Sequence, residues 1–237
     1  MRKVAVATVL CLVLAGCQTV KLAPLAASSA AQIQGRSLVV AQYPKADFAA
    51  FTAGKAAFAL IGAAAMIAEG NKIVAEHNVD DPAAQSAQVI ALQLVEQRGM
   101  QRIESETITK LDAPEKLAMA YPGADYILDV RTLNWMFAYY PTNWAAYRVI
   151  YNARFRLIDA RTKKSIAESA CSTVQGDDKN PPSKNDLLQN GAALLKDYLA
   201  KAAVTCADLI SRELLKLGPP SVSLSPAAPV SPMVSVN

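Results

Sequence analysis

The longest pattern in the chain is an alternation of apolar and polar residues between positions 147 and 159. The apolar residues follow each other at intervals of two: Tyr147, Val149, Tyr151, Ala153, Phe155 and Leu157. The intervening face includes four polar side chains: Arg148, Asn152, Arg154 and Arg156. A period of two predicts an antiparallel strand with one apolar and one polar face. The segments 124–133 and 165–174 predict two more strands, which complete a three-stranded meander.

Helical patterns occur on both sides of this meander. Asp81 is a good N-cap, Pro82 a good first helical residue and Gly99 a good C-cap, so a helix is predicted between them. A final helix, capped by Ser183 or Asn185, is predicted to run to about residue 217 with one apolar stripe. The stripe consists of Leu188, Ala192, Leu195, Leu199, Ala203, Cys206 and Ile210. The other predicted elements are strands at 37–43 and 101–108, one or two helices within 48–77, and a short helix at 114–120.

This order of elements predicts an α+β fold, with helices on one face of a mostly antiparallel sheet of about five strands. The folded domain is expected to span residues 37–217. Residues 17–36 are rich in Ala, Ser and Gln, which predicts a flexible tether. Residues 218–237 hold five prolines and no charged side chain, which predicts a disordered tail.

The N-terminus is organised like a secretory signal peptide. Two basic residues, Arg2 and Lys3, precede an apolar stretch at 4–14. That stretch is too short to span a bilayer as a permanent helix. Residues 1–16 are therefore predicted to be a signal peptide that is removed.

The sequence Leu14-Ala15-Gly16-Cys17 resembles the lipobox of bacterial lipoproteins at every position. The resemblance implies cleavage before Cys17 and acylation of that residue, which would anchor the chain in a membrane. Gln18 follows, where an aspartate would favour retention in the inner membrane of such proteins. The expected location is therefore the outer membrane, with the domain facing the periplasm.

The order of elements and the strand Ala124-Asp125-Tyr126-Ile127-Leu128 resemble periplasmic domains of envelope lipoproteins, of the CsgG, TolB N-terminal and YajG kinds. The likeness extends over most of residues 37–217. Such proteins are mostly non-enzymatic parts of envelope machines, so the resemblance implies a binding or scaffolding role. It transfers no functional residue to this chain.

Charge and composition exclude several classes of function. The net charge is +4 at pH 7, and 22 basic and 20 acidic side chains remain without the first sixteen residues. That balance provides no basic field for nucleic acid. One His and four Cys leave little material for a metal site, and no cofactor is expected. No catalytic motif occurs, so no catalytic residue is predicted, and Asp129 and Arg131 are expected to form cross-strand ion pairs.

Two cysteines remain in the predicted domain. Cys171 lies on the third meander strand, and Cys206 lies on the apolar stripe of the final helix. The oxidising periplasm permits a disulfide between them, closing a loop of about 36 residues. The alternative is two separately buried thiols.

Seven of the fifteen aromatic residues lie between positions 135 and 151. Tyr147 and Tyr151 fall on the apolar face of their strand and are expected in the core. The other five flank a turn at 140–143: Trp135, Phe137, Tyr139, Tyr140 and Trp144. Such rings form a surface for a partner or a lipid headgroup layer, or they cover the protein's own core.

The predicted helix at 48–68 contains an uncharged, Ala-rich run at 56–68. The run is too short to span a bilayer unaided. Small side chains permit close helix contacts, either within the domain, between copies of the chain or in a membrane.

Three functions follow as hypotheses. The first is a non-catalytic outer-membrane lipoprotein that binds or scaffolds an envelope component. The second is an oligomeric export or pore-forming lipoprotein that uses the helix at 48–68. The third is a hydrolase acting on the cell envelope.

Overall fold

A computed structural model describes residues 22–52, 59–177 and 179–219, with the backbone alone described at 59–61. The strands are β1 (Ser37–Val40), β2 (Phe48–Phe51), β3 (Gln101–Ile103), β4 (Tyr126–Tyr140), β5 (Asn143–Asp159) and β6 (Lys164–Gln175). The helices are α1 (Ala27–Gln32), α2 (Ala59–Glu76), α3 (Pro82–Arg98), α4 (Pro114–Ala120) and α5 (Lys184–Leu209), and a π-helical turn (Ile210–Leu214) follows α5.

The six strands form one mixed sheet in the order β3-β1-β4-β5-β6, with β2 also paired to β4. The meander β4-β5-β6 is antiparallel, as the alternation predicts. The pairs β1–β3, β1–β4 and β2–β4 are parallel. The α+β class is therefore confirmed, and the sheet is mixed: the long meander is antiparallel, as predicted, and three short strand pairs are parallel.

Strands β1 and β2 share one edge of β4 but leave a gap between them. β1 pairs with residues 126–128 of β4, and β2 pairs with residues 135–138. The chain leaves the sheet at 41–47 between these two strands. A cleft lies at this gap.

Local signals define the helix ends. The Asp81 carboxylate accepts a hydrogen bond from the Ala83 amide at 2.9 Å, and Gly99 closes α3 with φ +62°. Ser183 and Asp186 form a reciprocal capping box at the start of α5. The predicted caps are confirmed, but α5 is interrupted by non-helical backbone at residues 189–192.

The two faces of the sheet are covered by different helices. Helices α2, α3 and α5 cover the face that carries the larger core, whose biggest fully buried side chains include Trp135, Tyr151, Phe48, Phe137 and Phe155. On the opposite face, Leu117 and Tyr121 of the α4 region pack against Ile127 and Ile158. The prediction that helices lie on one face alone is therefore wrong for α4.

Cys171 and Cys206 form a disulfide with Cα atoms 5.6 Å apart. Both residues are buried in the larger core. The bond ties β6 to α5, so the alternative of two separate thiols does not hold.

The predicted helix from Phe48 is wrong at its start, because Phe48–Phe51 is strand β2 and α2 begins at Ala59. Four residues do not distinguish a period of two from a helix, and pairing with β4 decides the conformation. Helix α2 then packs tightly on β2: a Cβ on Gly70 would clash with the Phe48 carbonyl oxygen.

The predicted tether is wrong over residues 22–36. Ala23 exchanges backbone hydrogen bonds with Glu168 of β6, α1 follows, and Leu25 and Ile33 are buried in the core. Two apolar residues eight positions apart in an Ala- and Ser-rich segment give no periodic signal. The predicted signal peptide, Cys17 and most of the predicted tail at 218–237 lie outside the described residues.

Candidate functional site

The tip of the β4–β5 hairpin carries the most exposed aromatic side chain of the described residues. Strands β4 and β5 are joined by a tight turn at Pro141 and Thr142. Trp144 stands beside this turn with 69% of its surface exposed, and its indole Nε1 donates to the Pro141 carbonyl at 3.2 Å. Strand β6 pairs with β5 only as far as Val149, so the tip extends beyond it.

Two half-buried tyrosines, Tyr139 and Tyr140, lie just before this turn. The guanidinium of Arg148 lies 5.3 Å from the centre of the Tyr140 ring. The Tyr139 ring stacks on Phe51 at 5.8 Å. Three of the five predicted partner-binding residues reach the surface: Tyr139, Tyr140 and Trp144. These three residues are called the hairpin tip.

Trp135 and Phe137 are fully buried, which corrects their assignment to a partner surface. Trp135 packs edge-on against Phe48 at 4.9 Å, and its Nε1 donates to the Ala46 carbonyl at 3.1 Å. Phe137 contacts Phe48 and Tyr147. Strand β4 extends to Tyr140, seven residues beyond the predicted end. A β-bulge between Thr132 and Asn134 shifts the alternation by one residue, which places both rings on the core face.

A charged cluster occupies the opposite face of the same two strands. The fully buried carboxylate of Asp129 accepts hydrogen bonds from Arg156 Nε at 2.5 Å, Arg154 Nη2 at 3.3 Å and the Tyr43 hydroxyl at 2.6 Å. The predicted cross-strand ion pairing of Asp129 is confirmed. Its partners are Arg154 and Arg156.

Asp112 covers this cluster from the segment between β3 and α4. Its carboxylate accepts from Arg154 Nη2 at 2.6 Å and from Arg131 Nη1 at 3.0 Å. Its backbone carbonyl accepts from Arg156 Nη2 at 2.6 Å. Three arginines therefore face two aspartates, and the set carries one excess positive charge.

The cluster fixes the protonation of its members. Hydrogen bonding from Arg154 holds the pKa of Asp112 below its usual value, although partial burial opposes the shift. Burial and then the Asp129 charge raise the pKa of Tyr43 well above its usual value. At neutral pH Asp112 is thus a carboxylate, and Tyr43 is a protonated phenol that donates a hydrogen bond to Asp129.

A cleft of about 650 Å³ adjoins this cluster at the gap between β1 and β2. Its apolar lining includes Ala41, Ala87 and Val130. Arg131 belongs to both features, because it lines the cleft, contacts Asp112 and lies over the Tyr43 ring at 5.2 Å. Arg131 is therefore placed to bind an oxyanion at the boundary of the cleft and the charged cluster.

Sequence patterns locate only part of this site. Arg154, Arg156, Asp129 and Arg131 lie on the polar face of alternating strands, where the pattern finds them. Tyr43 and Asp112 lie in irregular segments, and no periodic signal connects them to the strands.

The described residues contain no group of His, Cys, Asp and Glu that could hold a metal ion. His77, the only histidine of the chain, lies half-buried just after α2. Within the described ranges, no helix is long and apolar enough to cross a bilayer.

Comparison with known proteins identifies no family: no protein-family model matches the chain, and no curated protein is similar to it. Similar solved structures include lipoprotein GNA1162 from Neisseria meningitidis, at 17% identity, with a TM-score of 0.29 and coverage of 72% of this chain and 96% of that one. A putative neuraminyllactose-binding hemagglutinin homolog from Helicobacter pylori has 12% identity, a TM-score of 0.38 and coverage of 76% and 85%.

Protein XCC0632 from Xanthomonas campestris, assigned to DUF330, has 11% identity, a TM-score of 0.36 and coverage of 80% and 89%. One of these three similar proteins is thus a lipoprotein. Identities and TM-scores this low carry no argument about the function or assembly of this chain.

Proposed function

We propose that this chain is a non-catalytic lipoprotein of the bacterial outer membrane, anchored through Cys17, whose periplasmic domain binds another envelope protein at the hairpin tip. The anchor rests on the lipobox-like sequence behind a short apolar leader. The binding role rests on one observation, the 69% exposure of Trp144 on a two-stranded projection. Exposed tryptophans on ordered elements are frequent centres of binding energy.

A non-catalytic role is supported by the hydrogen bonds that two titratable residues of the cleft, Asp81 and Tyr43, already make. The Asp81 carboxylate caps α3 and also accepts from the Thr132 hydroxyl. The Tyr43 hydroxyl is committed to Asp129. These groups hold the structure together and are not poised beside a nucleophile.

A photo-crosslinking residue at Thr142, in the full chain and in intact cells, tests the hairpin tip. We expect a discrete protein adduct that Trp144→Ala reduces about thirtyfold, since truncating a central aromatic contact costs about 2 kcal/mol or more. Met119→Ala, at a residue 65% exposed on α4, is the matched control and should leave the adduct unchanged.

The same variant must keep its fold for this interpretation to hold. Surface substitutions usually change stability by less than about 0.5 kcal/mol, so Trp144→Ala should melt within about 2 °C of the parent. A Tyr140→Ala, Trp144→Ala double variant with an unchanged adduct, or an adduct with lipid alone, would contradict the proposal.

The anchor has its own test in Cys17→Ser. Because signal cleavage in bacterial lipoproteins requires the acylated thiol, the variant should accumulate as precursor and incorporate no labelled fatty acid. Normal maturation of Cys17→Ser would contradict the lipoprotein assignment without affecting the test of the hairpin tip.

One observation favours a second candidate, an oligomeric lipoprotein. Helix α2 packs on β2 through one side only, while Ala63, Ala64, Ile67 and Ala68 are exposed and uncharged. Native mass measurement in mild detergent should then show an oligomer that Ala64→Glu disrupts and Ala75→Glu, near the end of α2, does not. A monomer in the parent chain would exclude this candidate.

A further inference from the structure

The cleft beside Arg131 is large enough for a small ligand and is built at a break in the sheet. Its volume of about 650 Å³ falls within the usual range for ligand pockets. It lies where β1 has left the edge of β4 and β2 has not yet joined it. The segment 41–47 and the first turns of α3 form its walls.

The cleft lining carries an excess of positive charge. Lys45, Lys110 and Arg131 line it together with Asp47 and Asp81, which leaves one excess positive charge. Lys45 is engaged outside the cleft lining, since it donates to the Val79 carbonyl at 2.7 Å and lies 3.6 Å from Asp80. An anionic ligand would therefore be attracted chiefly to Lys110 and Arg131.

Asp112 shows that Arg131 binds a carboxylate. The Asp112 carboxylate lies 3.0 Å from Arg131 Nη1 and 2.6 Å from Arg154 Nη2. The side chains of Asp112 and Arg131 are 39% and 36% exposed, whereas that of Arg154 is only 7% exposed. The pair that solvent can reach is therefore Asp112 and Arg131, and Arg131 also lines the cleft.

Of the three arginines of the charged cluster, only Arg131 is open to a ligand in the cleft, because Arg154 and Arg156 do not line it. The cluster also has one more guanidinium than carboxylate. The segment that carries Asp112 is joined to the β1 side by the bond from the Thr109 amide to the Gln42 carbonyl at 2.9 Å.

We propose that the cleft binds an anionic ligand whose carboxylate or phosphate group replaces the Asp112 carboxylate on Arg131. Asp112 then acts as an internal competitor that occupies Arg131 when the ligand is absent. Lys110 adds a second cationic contact, and the ligand body lies on Ala41, Ala87 and Val130. This site is separate from the hairpin tip and does not depend on the function proposed for it.

The test measures melting temperature of the full chain in mild detergent against phosphate and, separately, acetate, at constant ionic strength with chloride as the reference. A ligand that binds only the folded state raises the melting temperature with concentration and yields an apparent dissociation constant. Phosphate also stabilises proteins nonspecifically, so the comparison between variants decides the result.

Asp112→Asn removes the competing charge at nearly constant shape and should tighten anion binding about tenfold. Arg131→Gln should weaken it about tenfold, because a charged hydrogen bond is lost. Asp125→Asn is the control, since Asp125 bonds Ser37 at the start of β4, away from the cleft. If Arg131→Gln does not fold, Lys110→Gln, at an exposed position, replaces it with the same expected direction.

A preference for phosphate over acetate would assign a phosphorylated ligand, and the reverse preference would assign a carboxylate. Equal melting responses in the parent, Asp112→Asn and Arg131→Gln would overturn the proposal. So would the absence of any anion response in Asp112→Asn. Neither result bears on crosslinking at Thr142, so the two proposals fail independently.

Discussion

The two faces of the β4–β5 hairpin bury their side chains by different means. On the helix-covered face, Trp135, Tyr151 and Phe155 are fully buried among apolar neighbours. On the opposite face, Asp129, Arg154 and Arg156 are nearly as well buried, but as ions. The first face gains stability from the removal of apolar surface from water. On the second face, the attraction between the opposite charges must first offset a desolvation cost of several kcal/mol per ion.

The two faces therefore have different roles: the apolar face stabilises the fold, and the charged face fixes the positions of neighbouring segments. A buried ion cluster contributes little net stability compared with apolar residues of equal size, yet removal of one member leaves a charge unpaired. The charged face therefore holds Tyr43 and the Asp112 segment in defined places beside the cleft. The apolar face supplies the rigid support behind them.

The largest expected effect lies on the apolar face. Trp135→Ala should lower the free energy of unfolding by about 3–5 kcal/mol, because it empties a fully buried site and removes the indole hydrogen bond to Ala46. Urea unfolding measures the change. Trp144→Ala is the control within the same hairpin, and equal losses for the two variants would show that the core and tip assignments are wrong.

The disulfide on the same face gives the next effect. Cys206→Ser should lower the free energy of unfolding by about 4 kcal/mol, since the bond joins residues 35 apart in sequence. Reduction of the parent protein should give a similar loss in the same urea titration. Two cysteines that react freely after unfolding without reductant would show that the bond does not form.

On the charged face, Asp129→Asn should lower the free energy of unfolding by about 3 kcal/mol, because Arg154 and Arg156 keep their charges but lose a buried counter-ion. Chemical denaturation of the variant measures this loss. An Asp129→Leu, Arg154→Met, Arg156→Met triple variant should recover part of it. If the triple variant is less stable than Asp129→Asn, the buried ions stabilise the fold more than apolar residues of similar size do.

Alternation identifies both faces of β5 from sequence, because the period of two continues over eleven residues, from Tyr147 to Leu157. Capping residues identify the helix starts at Asp81 and Ser183, where local hydrogen bonding decides the structure. Alternation does not find β2, since four residues carry too little pattern and the pairing with β4 is distant in sequence. The partner surface is overstated because β4 is longer than predicted and contains a bulge between Thr132 and Asn134 that alternation does not signal. The bulge turns Trp135 and Phe137 to the core.

The candidate site depends even more on distant contacts. Strand periodicity places three arginines and Asp129 on one face. Only the fold brings Tyr43 and Asp112 onto them, across 86 positions for Tyr43 and Asp129 and 42 for Asp112 and Arg154. Neither residue lies in a periodic segment, so no sequence signal marks it.

The smallest expected effect comes from the exposed member of the charged face and is seen through pH. The pKa of Asp112 is lowered in the folded state, chiefly by the hydrogen bond from Arg154. Its contribution to stability is therefore complete above the pKa of the unfolded chain, about 4, and is lost as pH falls through the lower folded value. Asp112→Asn should cost the same at pH 5 and pH 7, and the difference from the parent should shrink at each step below pH 4. Urea unfolding across this range measures the difference, with Asp80→Asn, at a 97% exposed side chain, as the control. If the stability difference between the parent and Asp112→Asn instead grows as the pH falls, the arginines do not hold Asp112 as a carboxylate. Asp112 would then not belong to the charged cluster.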